Sequence, residues 1–236
     1  MGPSDITAVA DTEAPAEPER TPARRRPLTV ILVCVLAVAA LVIAGTTGWL
    51  VGSSSSAPAT VTESSVDAGF ARDMSTHHTQ AIEMANYARD YSSDPSIKML
   101  ARDIETQQYF QLGEMQGWLD VWNLSRSSSE PVMGWMNGHE QLTSDGLMPG
   151  MATPAEVNKL ETLTSKALDI YFLQLMLRHH QGGLPMAQYA AAHATQPYVR
   201  LLASKMVEAQ SREIIQMEQL LRERGASPLP APPTTH

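Results

Sequence analysis

Residues 70–88 read FARDMSTHHTQAIEMANYA, and residues 172–190 read FLQLMLRHHQGGLPMAQYA. Each copy has a methionine three residues before a His-His pair and a second methionine after the pair. Corresponding residues such as His77 and His179 are 102 positions apart (179 minus 77), and this register continues without a gap to Leu119 and Leu221. A register kept over about fifty residues indicates an internal duplication, which any fold prediction must accommodate.

The duplicated region shows helical apolar periodicity and clear helix-start signals. The expected helices cover residues 66–91, residues 95–123, a stretch that opens at Pro154, and residues 197–225. Three of them begin with a proline, which is favoured at the first position of a helix. The fold class predicted is all-α, a ferritin-like four-helix bundle over residues 66–225, made of two duplicated hairpins with a long crossover over residues 124–153.

One irregularity distinguishes the second copy from the first. The segment Gly183-Leu-Pro185 stands where the first copy has Ala81-Ile-Glu83, and Gly182 precedes it. Proline removes a backbone hydrogen bond in a helix interior and clashes with the preceding turn. We therefore expect a kink just after the second His pair.

The termini differ in composition from the duplicated region. The predicted segments are a disordered cytoplasmic tail over residues 1–26, a transmembrane anchor over residues 27–51, a linker over residues 52–65 and a disordered tail over residues 226–236. Proline-rich, polar stretches without apolar periodicity are typical of disorder, and serine-rich stretches are typical of flexible linkers.

The apolar stretch over residues 28–51 is the basis for the anchor prediction. At about 1.5 Å rise per residue, it is long enough to cross a hydrocarbon core of about 30 Å. The arginines at 24–26 place the N-terminus in the cytoplasm and the bundle outside, giving a single-pass protein of the bacterial cell membrane. A signal peptide cleaved near Ala57-Pro-Ala59 is the alternative, although its apolar part is usually only about 7–15 residues.

Charge and cysteine content exclude several classes of protein. The formal net charge of −8 argues against nucleic acid as a partner, since nucleic acid binding requires a basic surface. The single cysteine, Cys34, excludes an intrachain disulfide framework and a cysteine-based zinc site.

The repeated histidines and methionines are the candidate metal ligands. On a helix, those of each copy fall on one stripe together with alanines, and two hairpins related by a pseudo-two-fold axis bring the two stripes together. The predicted ligands are His77, His78, His179, His180, Met74, Met84, Met176 and Met186. Imidazole with thioether is a ligand set for soft metals, so copper as Cu(I) is favoured. Zinc, bound through imidazole alone, is the next candidate.

The crossover carries a second group of such side chains in a glycine-rich segment that we expect to be exposed. Its members are Met133, Met136, His139, Met148 and Met151. One interpretation is a second copper site or a transfer arm. The other is a lid whose apolar side chains pack over the end of the bundle, because methionine fills irregular gaps readily.

Two further functional alternatives remain at this point. The histidines could be packing residues of a structural or interaction module, satisfied by Glu105, Gln108, Glu208 or Gln210 on partner helices. A redox enzyme that uses the same copper is the second alternative. No Glu-x-x-His spacing of the di-iron kind occurs in the four helices, and no phosphate loop or nucleophile motif is visible. The prediction is a non-enzymatic metal-binding protein.

The doubled Met-x-x-His-His motif, with Gly150-Met-Ala-Thr-Pro-Ala-Glu156 ahead of the second copy, resembles the bacterial domain-of-unknown-function family DUF305. The resemblance covers about residues 66–224. It implies a ferritin-like helical bundle outside the cytoplasmic membrane, with some members linked to copper binding or resistance. It also implies that the eight motif residues named above form the site. The function predicted for this chain is copper buffering, chaperoning or resistance outside the cytoplasm.

Overall fold

The computed structural model describes residues 26–53, 60–136, 138 and 142–230. Every regular element in these residues is helical, which confirms the predicted all-α class. The helices are α1 (Arg26–Ser53), α2 (Val66–Tyr91), α3 (Pro95–Val121), α4 (Pro154–Thr162), α5 (Ser165–His193) and α6 (Pro197–Glu223), with a 3-10 turn over Gly134–Met136. The chain divides into two compact units, Met1–Ala57 and Pro58–His236.

The first unit contains α1, a helix of 28 residues over the apolar stretch. Its described side chains, from Val30 to Thr46, are exposed. In the part of the chain that the structure describes, no helix is both long enough and apolar enough to cross a membrane. The helix itself agrees with expectation, whereas its predicted role as a transmembrane anchor is not supported. All of the predicted tail over residues 1–26 except Arg26 lies outside the described residues.

The second unit consists of two helical hairpins that meet through α2 and α5. Helix α2 begins where Ser65 accepts a hydrogen bond from the backbone N–H of Ala68. Helix α3 begins where Asp94 accepts one from the backbone N–H of Ser96 at 2.9 Å. A side-chain oxygen at this position satisfies one of the backbone donors that a helix start leaves unpaired.

The two hairpins are tied together at equivalent positions of the repeat. Buried Asp67 on α2 accepts hydrogen bonds from the backbone N–H groups of Thr195 and Gln196, in the turn between α5 and α6. Its counterpart Asp169 on α5 accepts one from the hydroxyl of Ser92, in the turn between α2 and α3. Each hairpin therefore holds the turn of the other, and this fixes the antiparallel placement of α2 against α5 that the site requires.

The predicted third helix is in fact two helices. Thr153 and Glu156 form the expected capping box, but α4 ends at Thr162 and α5 begins only at Ser165. Leu163 and Thr164 between them are extended. Hydroxyl side chains compete for nearby backbone groups, as the Thr162 hydroxyl does by donating to the Lys159 carbonyl at 2.8 Å. This break was not predicted.

Helix α5 continues without interruption through Pro185. Gly182 beside it packs against the backbone of Pro149 in the crossover. At the C-terminus, residues 226–230, expected to be disordered, contact the bundle: Ala226 and Leu229 pack against the core, and Gln174 donates a hydrogen bond to the Ser227 carbonyl at 2.7 Å. The remainder of that predicted tail, 231–236, lies outside the described residues. The predicted linker also ends in packed structure, since Val61 is buried.

The core has two apolar clusters, one toward each end of the bundle. The Met84 cluster includes Met84, Ile97, Ile104, Phe172, Met176 and Leu221. The Met74 cluster includes Phe70, Met74, Met115, Trp135, Met186 and Met206. Along both α2 and α5 the His pair stands between the residues that enter one cluster and those that enter the other. The histidines therefore form a polar layer across the middle of an apolar core.

Candidate metal centre

The two His pairs come together where α2 crosses α5. His77 and His179, equivalent residues of the repeat, have ring centroids 3.7 Å apart with the rings tilted by 39°. The rings of His179 and His180 are 6.4 Å apart. All four histidines are at most 1% exposed. The predicted convergence of the pairs in a water-excluded space is therefore present in the structure.

The second histidine of each pair is held by a partner from the same hairpin. His78 Nε2 donates to the side-chain oxygen of Gln111 at 2.7 Å. His180 Nε2 donates to a carboxylate oxygen of Glu213, also at 2.7 Å. Oxygen acceptors require a hydrogen on the imidazole nitrogen, so each ring in its neutral form has its proton on Nε2 and a lone pair on Nδ1.

His77 is held by the crossover. Its Nε2 donates to the carbonyl oxygen of Pro149 at 3.2 Å, which again leaves the lone pair on Nδ1. In each of the four rings one buried nitrogen has no hydrogen-bond partner. These nitrogens are His77 Nδ1, His78 Nδ1, His179 Nε2 and His180 Nδ1. A buried polar atom without a partner costs about 1–3 kcal/mol, so four of them in one layer indicate that the layer is built for another purpose than stability.

Burial keeps the imidazoles of His77, His78 and His179 neutral. Desolvation lowers the pKa of His77 to about 4 and the pKa of His78 to about 3, although the hydrogen bonds that these rings donate to Pro149 and Gln111 act in the opposite direction. The pKa of His179 is also lowered well below its ordinary value, first by desolvation and then by repulsion from the neighbouring histidines. A neutral imidazole is the form that binds metals, so the lone pairs are available at neutral pH.

Thioethers stand on both sides of the histidine layer. The side chains of Met74, Met84, Met176 and Met186 are all fully buried. Met84 and Met176 belong to the cluster on one side, and Met74 and Met186 to the cluster on the other. In the described residues, no three His, Cys, Asp or Glu side chains are grouped so as to hold one metal ion. A site here would therefore combine one or two imidazoles with thioethers.

The end of the crossover lies directly over the layer. Gly150 has φ +81° and packs so closely on α5 that a Cβ there would lie 3.0 Å from the Cα of His179. Gly182 faces the Pro149 carbonyl, with no room for a side chain. On α2, the equivalent residue Gln80 exchanges two hydrogen bonds with the backbone of Ala152, at 2.8 and 2.7 Å. The same segment of the crossover thus contacts both helices. The Gln80 side chain holds it on α2, and it fits against α5 because Gly182 has no side chain.

Gly182→Ala should destabilise the protein because the new methyl group meets backbone atoms of Pro149 that cannot rotate away. Overpacking of this kind costs about 1–3 kcal/mol, measured as the free energy of unfolding in urea. Gly113→Ala on α3 is the matched control, since nothing lies within 4 Å of its Cβ. It should stabilise by about 0.5–1 kcal/mol through helix propensity. Equal effects of the two changes would contradict the close approach.

The methionines of the crossover are not exposed. Met133, Met136 and Met148 are buried in the Met74 cluster, with Met151 partly buried against it. Asp73 fixes this lid by accepting hydrogen bonds from the Met133 backbone N–H and the Trp135 indole N–H, at 2.7 and 2.8 Å. The prediction that this segment is exposed is thus wrong for these residues. Their burial agrees with the lid interpretation. His139 lies outside the described residues.

The histidine partners differ from those expected. Glu105 is paired with Arg89, and Glu208 with Arg212 on the surface. The side-chain oxygens of Gln108 and Gln210 have no partner. The actual partners, Gln111 and Glu213, lie one helical turn further along α3 and α6. Sequence reasoning missed both, although each stands 33 residues after its histidine, a repetition that extends the internal register.

Comparisons with known proteins agree with the duplicated motif. A family model described as a domain of unknown function, DUF305, matches residues 67–221. A DUF305 protein from Streptomyces coelicolor, described as a candidate secreted protein, is 47% identical; the match covers 72% of this chain and 99% of that chain, with a TM-score of 0.66. A DUF305 fragment from Deinococcus radiodurans is 31% identical over 67% of this chain and 96% of that chain, with a TM-score of 0.56. No similar sequence was found among curated proteins.

A third structural match is CopM. Its Cu(I)-bound form is 28% identical over 66% of this chain and 96% of that chain, with a TM-score of 0.51. Its Cu(II)-bound form is 27% identical over 66% of this chain and 97% of that chain, with a TM-score of 0.50.

Proposed function

This chain belongs to the DUF305 family, and on that premise we propose that it binds copper through the paired histidines and methionines of α2 and α5. The observation that carries the proposal is the set of four unpaired imidazole nitrogens in one buried layer. A packing role does not account for them, because a core histidine normally has both ring nitrogens hydrogen-bonded. A metal ion accepts lone pairs and would satisfy one or two of these nitrogens. The copper-bound CopM relatives support the same reading.

The favoured oxidation state is Cu(I). The donors available are neutral imidazoles and four buried thioethers, and thioether ligands select Cu(I) over hard cations. Neutral imidazoles also serve Zn²⁺, but a zinc site takes four ligands from nitrogen, thiolate or carboxylate and makes no use of methionine. Zinc is therefore the weaker candidate.

The role is buffering, chaperoning or resistance rather than catalysis. The rings are buried beneath the crossover, an arrangement that suits retention of an ion better than turnover of a substrate. We place the function outside the cytoplasm, which is supported by the candidate secreted relative and by the arginine cluster before the apolar helix. Anchoring of the bundle by α1 is part of this proposal.

Titration of the purified full-length chain with Cu(I), Cu(II) and Ag(I) against competing chelators tests the proposal. We expect Cu(I) and Ag(I) to bind more tightly than Cu(II), and the melting temperature to rise with the metal. A ligand at about 100 times its Kd stabilises the native state by about 2.7 kcal/mol. A chain whose melting temperature is unchanged in saturating copper would contradict the proposal, because a ligand specific to the native state must stabilise it.

A further inference from the structure

The two halves of the histidine layer differ in charge at one pair of equivalent positions. His78 and His180 are equivalent, and each is held at the same nitrogen and the same distance, 2.7 Å. The partner is an amide in one half, Gln111, and a carboxylate in the other, Glu213. The duplication has thus kept the hydrogen bond in both halves and placed a charge in only one of them.

The remaining donors of the layer are neutral. Of the hydrogen bonds that the four histidines make within the described residues, only the one to Glu213 has a carboxylate acceptor. Asp73, the nearest acid before the first His pair on α2, is engaged with the lid instead. The buried methionines and the buried side chains of Gln108 and Gln210 carry no charge.

A buried cation needs a compensating charge. Transfer of an unpaired ion from water into a protein interior is costly, and its attraction to a nearby opposite charge offsets that cost. A carboxylate that accepts the N–H of a metal-binding histidine also orients the ring and makes its other nitrogen a stronger donor. Glu213 meets both requirements, because its side chain is 16% exposed and in direct contact with the fully buried His180.

We propose that Glu213 is the positioning residue of the copper site, which fixes His180 with its Nδ1 lone pair free and supplies the one negative charge that a bound monovalent cation requires. This inference rests on the proposed function. Gln111 at the equivalent position keeps the layer at a single negative charge. Together with one monovalent soft cation the buried group is then neutral, whereas a divalent ion leaves it with a net positive charge. The asymmetry between the two halves thereby favours Cu(I) or Ag(I) over Cu(II).

Glu213→Gln isolates the charge from the hydrogen bond, since Gln111 shows that an amide oxygen makes the same 2.7 Å contact. We expect the dissociation constant for Ag(I), measured by chelator competition on the full chain, to increase about 10–100-fold, the range typical of lost partners of metal-bound histidines. Glu208→Gln is the matched control: it removes the same charge from α6 at a site that is 71% exposed. Its Ag(I) affinity should equal that of the wild type.

Gln111→Glu is the converse variant, and it retains Glu213. A second carboxylate in the layer should raise the affinity for Cu(II) relative to Ag(I) by about tenfold or more, because its attraction to a divalent ion is twice that to a monovalent one. The imidazole nitrogen signals of His180 in NMR spectra should show an Nε2–H tautomer in the wild type and in both Gln variants.

The outcomes separate this inference from the proposed function. A wild type that binds neither Cu(I) nor Ag(I) overturns the proposed function. A wild type that binds Ag(I), with Glu213→Gln binding it equally well, overturns the role of Glu213 alone. If Glu213→Gln does not fold, Gln111→Glu decides the question, and an unchanged ratio of Cu(II) to Ag(I) affinity there contradicts the charge matching.

Discussion

Replacement of both His77 and His179 by glutamine is expected to weaken Cu(I) binding by more than about 100-fold, since even the loss of a partner of a metal-bound histidine costs about 10–100-fold. The two rings are 3.7 Å apart and each has a nitrogen without a partner. The apo form should stay folded. Glutamine is similar in size, and its amide can donate to the Pro149 carbonyl as His77 does. Binding is measured by competition with a Cu(I) chelator, and folding by circular dichroism.

His193→Gln is the control for the loss of an imidazole. His193 also lies on α5, but it is exposed and stacks on Tyr189 at 4.1 Å, far along the helix from the layer. Its replacement should leave copper affinity unchanged. If the double variant retains wild-type Cu(I) affinity while its free energy of unfolding falls, the histidines are packing residues and the structural alternative is correct.

A second comparison separates thioether from imidazole. Met84→Leu with Met186→Leu conserves core volume, a change that usually costs less than about 1.5 kcal/mol. Because thioether is the soft partner, we expect a larger loss of Cu(I) affinity than of Cu(II) affinity. Equal losses would show that the methionines act through packing alone.

The elements that the sequence predicted well are those with a regular period. Helices α2, α3 and α6 follow the apolar spacing, and the prolines at the starts of α3 and α6 agree with the observed bounds. The convergence of the His pairs follows from the duplication, because equivalent residues must face each other when two equivalent hairpins pack. Neither inference needs knowledge of the crossover.

The residues missed depend on contacts that have no period in the sequence. Whether α3 presents Gln108 or Gln111 to His78 depends on how the two helices are placed against each other. A shift by one helical turn changes the partner. Gly182 serves the close approach of Pro149, an irregular segment whose path no spacing reveals, whereas the kink expected at Pro185 stays a prediction. The burial of Met133 and Met148 has the same origin, since only the folded lid shows which side chains it turns inward.

Acidification from pH 7.5 to pH 5 should destabilise the apo protein by roughly 4 kcal/mol through His77 and His78 alone, about 2 kcal/mol from each. Their pKa values are lowered from 6.5 to about 4 and about 3 in the folded state. Above pH 6.5 the histidines are neutral in both the folded and unfolded states, so they impose no penalty. Below it the unfolded chain takes up protons that the folded protein cannot, and stability falls with pH. His179, whose pKa is lowered too, adds to the loss in the same direction.

The pH window makes the effect specific to histidine. Ordinary carboxyl groups titrate near pH 4, and the ion pair with Arg178 lowers the pKa of Glu156 further, so its contribution is lost only at lower pH. Free energies of unfolding from urea titrations between pH 7.5 and pH 5 should therefore fall by about 1.4 kcal/mol per pH unit for each buried histidine below pH 6. His78→Gln should reduce that slope by the contribution of one buried histidine. His193→Gln, at an exposed position, should change the slope much less.

Bound copper should reduce the loss of stability in acid until protons displace the metal. A metal on the free nitrogens occupies the lone pairs that protons would take, so binding and protonation exclude each other. With saturating Cu(I) the pH of half-unfolding should be lower than for the apo protein, and the same acid range should release the metal. A free energy of unfolding that is flat from pH 7.5 to pH 5 in the apo protein would show that His77, His78 and His179 are not held neutral by burial. The unpaired nitrogens of these rings would then take up protons in the folded protein and would not be held as lone pairs for a metal.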